Sequence, residues 1–274
     1  RIQSGLIPQK DAGRHDDPKV VEEIERWFPK PVIHKLNYIL DEISLVGIRH
    51  IREFLEVILS SIIRDVSQQD PRDLRIRKRK EPIEDAPVLE MFTEKVFEQL
   101  NCLRRYWSVK AYCPSTNISP KIVLGDSRDL KTYDILDLAS GTVDAIVTSP
   151  PYATALPYID TDRLSLLFLF GINSTERGLL ERHLTGSREI LKGEKTELEE
   201  KLFNGSSDLG TQDLPINIVT FLQEIYVGNQ RSEVGFRKKN VPSLLLRYFA
   251  DMRATLTRMA YVLKPGASAF VVLG

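Results

Sequence analysis

The sequence predicts an α/β fold that carries a mainly helical N-terminal region. Two observations lead there. Residues 18–117 place apolar side chains at helical spacing, and from residue 118 the texture changes to short apolar runs that end in turn residues. A third sets the organisation: a polar stretch near 173–240 interrupts the second part. At 274 residues there is room for one large α/β domain with a sizeable insertion.

Each element has a local reason. Residues 1–17 read as a flexible lead-in. Asp16-Asp17-Pro18 is a helix start, with an acidic cap and proline at the first helical position. In "PVIHKLNYILDEIS", Val32, Leu36, Ile39, Leu40 and Ile43 fall on one helical face. The next periodic run places Ile48, Ile51, Phe54, Leu55, Ile58 and Ile62 together, and Gly47 separates the two. A basic linker near 70–85 follows, with Arg72, Arg75, Arg77, Lys78, Arg79 and Lys80. A further helix is predicted at about Val88 to Trp107. Beyond it, "PKIVLGDSRDL" reads as a buried strand ending at Asp126, and "VDAIVTSPPY" as a second strand. The apolar run from Leu164 to Ile172 reads as a helix, with Asp160, Asp162 and Arg163 as its cap and surface charge. A helix at about Pro242 to Tyr261 leads to a Lys-Pro-Gly turn and a third strand.

Composition excludes several classes. Lys plus Arg and Asp plus Glu balance at 38 each, so any nucleic-acid surface must come from local clusters such as Arg231, Arg237, Lys238 and Lys239. Cys102 and Cys113 make no disulfide framework or metal pattern, and His15, His34, His50 and His183 are scattered. No metal site is expected. No apolar run approaches the roughly 18 residues that a membrane span needs. The N-terminus lacks both a signal-peptide core and a starting methionine, so the chain is expected to begin inside a longer product.

The segment Thr148-Ser149-Pro150-Pro151-Tyr152 concentrates the chemistry. A strand that ends in two prolines loses its ladder donors. Carbonyl oxygens there are left free and fixed in direction. Ser149 adds a hydroxyl and Tyr152 a flat face. Such a socket suits an exocyclic amino group on a planar base. The Ser149 hydroxyl and the Pro150 carbonyl accept its protons, and Tyr152 stacks on the ring. Accepting the protons readies the nitrogen lone pair for attack on an electrophilic methyl.

These residues resemble the catalytic motif of the amino-group DNA methyltransferases, in which Asp, Asn or Ser precedes Pro-Pro and an aromatic. The resemblance covers about residues 119–274 and implies a Rossmann-like, class I methyltransferase core. It implies S-adenosylmethionine as cofactor, with Asp126 near its adenine and Thr148 also cofactor-binding. Ser149, Pro150, Pro151 and Tyr152 become the catalytic set. The serine form points to cytosine N4, with N6-adenine in DNA, or RNA, as alternatives. DNA is the implied partner, reached by base flipping. A prokaryotic cytoplasmic, nucleoid-associated restriction–modification setting follows by the same resemblance. "RMAYVLKPGASAFVVLG" resembles the helix, turn and strand after the motif, with Ala267 where a second glycine is common.

One part of that pattern is missing. No Gly-x-Gly occurs in the sequence, so the cofactor loop of the family has no counterpart. The three predicted strands correspond to the third, fourth and fifth of seven, and the core is expected to be incomplete. The missing strands are expected upstream in the gene, in a permuted order, or on a second polypeptide, the first being favoured. A non-catalytic nucleic-acid-binding subunit is the other reading.

Overall fold

The protein is described here by a computed structural model covering residues 15–73, 76–112, 120–154, 158–204 and 214–273. The lead-in up to residue 14, Arg75, Cys113 and residues 205–213 lie outside the described residues. Two compact units emerge. One lies within Ile7–Ser119 and Tyr158–Arg177, the other within Pro120–Pro157 and Gly178–Gly274.

The first unit is helical. It contains α1 (Pro18–Trp27), α2 (Lys30–Ser44), α3 (Arg49–Ile63), α4 (Val88–Tyr112) and α6 (Arg163–Phe170). Asp17 caps α1 by accepting from the Lys19 amide at 2.9 Å, and Pro18 occupies the first turn. In α2 the buried residues are Val32, Leu36, Ile39, Leu40 and Ile43, the face that the spacing predicts. In α3 the core covers only the C-terminal half. Ile58, Leu59, Ile62 and Ile63 are buried, but Ile48 and Ile51 are exposed, because the first turns project past the packed cluster. The basic linker folds back on itself, while Arg72, Arg77, Lys78 and Lys80 stay exposed. Gln69 and Lys78 form an antiparallel bridge, and Arg79 donates to the carbonyls of Ser67 and Asp65 at 2.9 and 2.6 Å.

Arg163 departs from its expected place on the surface. It is 3% exposed, its guanidinium lies 3.9 Å from the Trp27 ring centroid, and it donates to Gln69 Oε1 at 2.5 Å. Burial pulls its pKa down to about 10. Asp160, three residues before it, lies 3.4 Å from Arg177.

The second unit holds α5 (Leu130–Ile135), β1 (Val143–Thr148), α8 (Lys192–Asn204), α9 (Ile216–Arg231), α10 (Phe236–Val262) and β2 (Leu263–Val271). The nine-residue helix α7 (Ser174–Arg182) runs from the first unit's last residues into this one. Leu198, Leu202, Leu214, Leu222 and Leu246 form the core between α8, α9 and α10. Helix α10 starts before Pro242, earlier than its sequence suggests. A proline there leaves the carbonyl four residues back without its donor. That carbonyl belongs to Lys238, and Asn229 Nδ2 supplies the missing bond at 2.8 Å.

The two strands are parallel. Ala145, Ile146, Val147 and Thr148 face Ser268, Ala269, Phe270 and Val271, after a bulge that contains the Lys-Pro-Gly turn. Gly266 in that turn has φ 81°. The protein is therefore mostly helical with a two-stranded parallel sheet. The predicted strand at 120–126 is corrected. The backbone there makes no ladder, and Ile122 and Leu124 are 94% and 68% exposed. No described strand lies beside it, so its apolar residues have neither a pairing partner nor a face to bury.

Candidate active site

The parallel pairing brings the carboxyl ends of β1 and β2 to one side. In open α/β sheets ligands bind beyond that side. The Val272 amide donates to the Thr148 carbonyl at 2.9 Å, the last sheet bond before the prolines. Ser149 is exposed, Pro150 buried, and Tyr152 is 41% exposed. The Ser149 hydroxyl and the Pro150 carbonyl have no hydrogen-bond partner among the described residues. The turn thus presents a hydroxyl, a carbonyl and an accessible ring within four residues.

Three residues that sequence reasoning did not single out hold this turn. Tyr248 on α10 donates its hydroxyl to the Pro151 carbonyl at 3.1 Å. That fixes one carbonyl of the pair and leaves the other available. Gly186, with φ 82°, packs against the turn so closely that a Cβ would stand 2.6 Å from the Tyr152 carbonyl oxygen. The Thr154 amide donates to the Gly186 carbonyl at 3.1 Å. Thr154 itself sits at φ 55°, a conformation that costs a β-branched residue about 1–3 kcal/mol. The loop that carries Gly186 is tied to α10. Thr185 Oγ1 lies 3.2 Å from Asp251 Oδ2, and Arg247 donates to the carbonyls of Ser187 and Glu189 at 3.0 Å each.

Asp126 ends the extended segment 120–126, but its carboxylate is already engaged. It accepts from the Arg128 amide at 2.9 Å, from Nε at 2.9 and 3.1 Å, and from Nη2 at 2.7 Å. Arg128 Nη1 also lies 2.8 Å from Asp251 Oδ1, and Nη2 reaches the His183 carbonyl at 3.3 Å. One guanidinium therefore joins two carboxylates and the loop that seats Tyr152. Hydrogen bonding to Arg128 holds the Asp126 carboxyl below the usual range. The same pairing raises the Arg128 pKa.

A cavity of about 400 Å³ adjoins the turn. Thr148, Ser149, Pro150 and Pro151 form its rim, with Ile146, Tyr133, Met252 and Met259 among its walls. The size fits the range of small-ligand sites. Asp126 is not among its walls, while its neighbour Ser127 is. Helices α5 and α10 contribute walls on this side of the sheet. Phe270 and Val272, which do not line the cavity, alternate onto one face and are 57% and 56% exposed. Parallel sheets normally bury both faces.

Among the described residues no group of His, Cys, Asp and Glu could hold a metal ion. No described helix is long and apolar enough to cross a membrane. No protein-family model, curated protein or solved structure matches the chain.

Proposed function

We propose that this chain supplies the acceptor side of a methyltransferase that modifies an exocyclic amino group in DNA, cytosine N4 in preference to adenine N6. The observation that carries this reading is the pairing of two unpartnered acceptors, the Ser149 hydroxyl and the Pro150 carbonyl, beside the accessible Tyr152 ring. An amino group placed there donates both protons into the turn. Its lone pair is then directed away from the turn, toward an incoming methyl. The ring of the base lies against Tyr152. A base inside a duplex reaches the turn only by flipping, which costs a few kcal/mol.

The methyl donor in this reading is S-adenosylmethionine. The residues present fit it only in part. Thr148 lines the cavity, but both oxygens of Asp126 are engaged by Arg128, and the sequence has no Gly-x-Gly turn. The glycine loop is assigned to polypeptide outside these residues, either upstream or on a partner subunit. The uncovered Phe270 and Val272 and the unpaired Ile122 to Leu124 segment support that assignment. A Rossmann-like core would then be completed by added strands and helices. The chemistry fits a cytoplasmic, nucleoid-associated enzyme of a prokaryotic restriction–modification system.

Transfer of labelled methyl groups to DNA, followed by nucleoside analysis, tests the reading. N4-methylcytosine is the expected product. N6-methyladenine alone would correct the base, and label in RNA alone would reject DNA. Absence of Gly-x-Gly favours a second reading, a binding subunit that does no chemistry. Ser149→Ala and Tyr152→Ala separate the two. DNA binding survives both substitutions in either case, but turnover falls by roughly 10²-fold or more only in an enzyme, the scale of a lost proton-accepting or positioning group.

A further inference from the structure

Four cations crowd the turn between α9 and α10. Arg231 ends α9, and Arg237, Lys238 and Lys239 open α10. All four are exposed, and none forms an ion pair with a described residue. Arg128, Arg247, Lys195 and Lys201 of the same unit each meet a carboxylate. Glu233 is the sole acid between Arg231 and Lys239. Phe236 stands among these cations with 75% of its surface exposed. The turn is held in place, since Asn229 Nδ2 donates to the Lys238 carbonyl.

Uncompensated like charges in one short stretch repel each other, and an exposed phenyl ring is poorly hydrated. A partner with regularly spaced anions and flat apolar faces relieves both. Nucleic acid has that chemistry: phosphates for the cations, a base or sugar face for the ring. An anionic membrane is less suited, because interfacial docking calls for a stripe of several large apolar side chains. We propose that the α9–α10 turn is a contact surface for duplex DNA, with Arg231, Arg237, Lys238 and Lys239 on phosphates and Phe236 against the groove wall.

This inference rests on the reading above, and the length of α10 sets its scale. Tyr248, which holds the Pro151 carbonyl, follows Phe236 by twelve residues on the same helix. At about 1.5 Å per residue that is roughly 18 Å. Duplex DNA advances about 3.4 Å per base pair, so with α10 along the duplex axis the contacted phosphates would lie about five base pairs from the modified base.

The test uses the full protein and a fluorescently labelled duplex, titrated across a salt series. The triple variant Arg237→Gln, Lys238→Gln, Lys239→Gln should lower the slope of log K against log salt by about 2.7, at roughly 0.9 per phosphate contact. Phe236→Ala should weaken binding about tenfold and leave that slope unchanged. Circular dichroism confirms that these surface variants fold. Unchanged slope in the triple variant overturns the proposal, as does a wild-type protein that does not bind the duplex. Loss of binding to phosphatidylglycerol vesicles with duplex binding intact also overturns it, in favour of a membrane. Methyl transfer that persists with an unaltered slope rejects this surface alone. Salt-sensitive binding through the turn without any methyl transfer rejects the enzyme reading alone.

Discussion

Replacing Gly186 with alanine tests the seating of the Ser-Pro-Pro-Tyr turn directly. Gly186 sits at φ 82°, where an L side chain costs about 1–2 kcal/mol. The added Cβ would also meet the Tyr152 carbonyl oxygen at 2.6 Å and its carbon at 3.3 Å. Both are backbone atoms, so no side chain can rotate away. Either the loop or the turn must move, and overpacking of this kind costs about 1–3 kcal/mol more. The total is about 2–5 kcal/mol. Gly266→Ala is the matched control. Its φ is 81°, but no atom lies within 4 Å of the added Cβ, so it carries only the conformational cost. Gly178→Ala, in the helix α7 with nothing nearby, should stabilise by about 0.5–1 kcal/mol. Urea denaturation of the three variants measures the series. The difference between Gly186→Ala and Gly266→Ala isolates the contact with Tyr152. Methyl transfer should fall about tenfold or more in Gly186→Ala alone, because displacements approaching 1 Å at a site cost that much. Equal destabilisation of the two variants, or full turnover in Gly186→Ala, would refute the idea that this loop positions the turn.

Two further outcomes concern buried and half-buried charge. Arg128→Met removes the shared cation from Asp126 and Asp251, and should destabilise by about 1–3 kcal/mol at neutral pH. Arg128 depresses the folded-state pKa of Asp126, so its contribution is present above the unfolded value of about 3.9. It is lost as pH falls through the lower folded value, and the gap between wild type and variant should close there. Denaturation at a series of pH values measures it, and a gap that does not change with pH speaks against the pairing. Arg163→Met takes away the donor to the buried Gln69 Oε1 and removes the stack on Trp27, costing about 2–4 kcal/mol. Arg163→Met with Gln69→Met should recover to within about 1 kcal/mol of wild type, because both polar groups then leave the core together. A double-mutant cycle with no coupling would show that the two side chains act independently.

Local patterns were legible in the sequence where the cause is local. The Asp17 cap and Pro18 are neighbours in the chain, and the structure uses both at the start of α1. The face of α2 follows from helical periodicity, which repeats every few residues. Periodicity also overreached. It grouped Ile48 and Ile51 with the core of α3, although what packs against those turns is set by other segments. The strand predicted at 120–126 failed for the same reason, since a strand exists only with a neighbour to receive its hydrogen bonds. Arg163 looked like a surface charge because nothing near it in sequence reveals Trp27 or Gln69.

The sequence by itself determined the content of the candidate site. Two prolines after an apolar run remove the ladder donors wherever the run lies, and Ser149 and Tyr152 bring their hydroxyl and ring with them. Tertiary structure decided which of those groups remain available. Tyr248 reaches the Pro151 carbonyl across 97 residues, and Arg128 draws Asp126 away from the cavity toward Asp251. Hydrogen bonds of this kind depend on atoms meeting within about 3 Å, and chain order alone does not fix which distant segments achieve it.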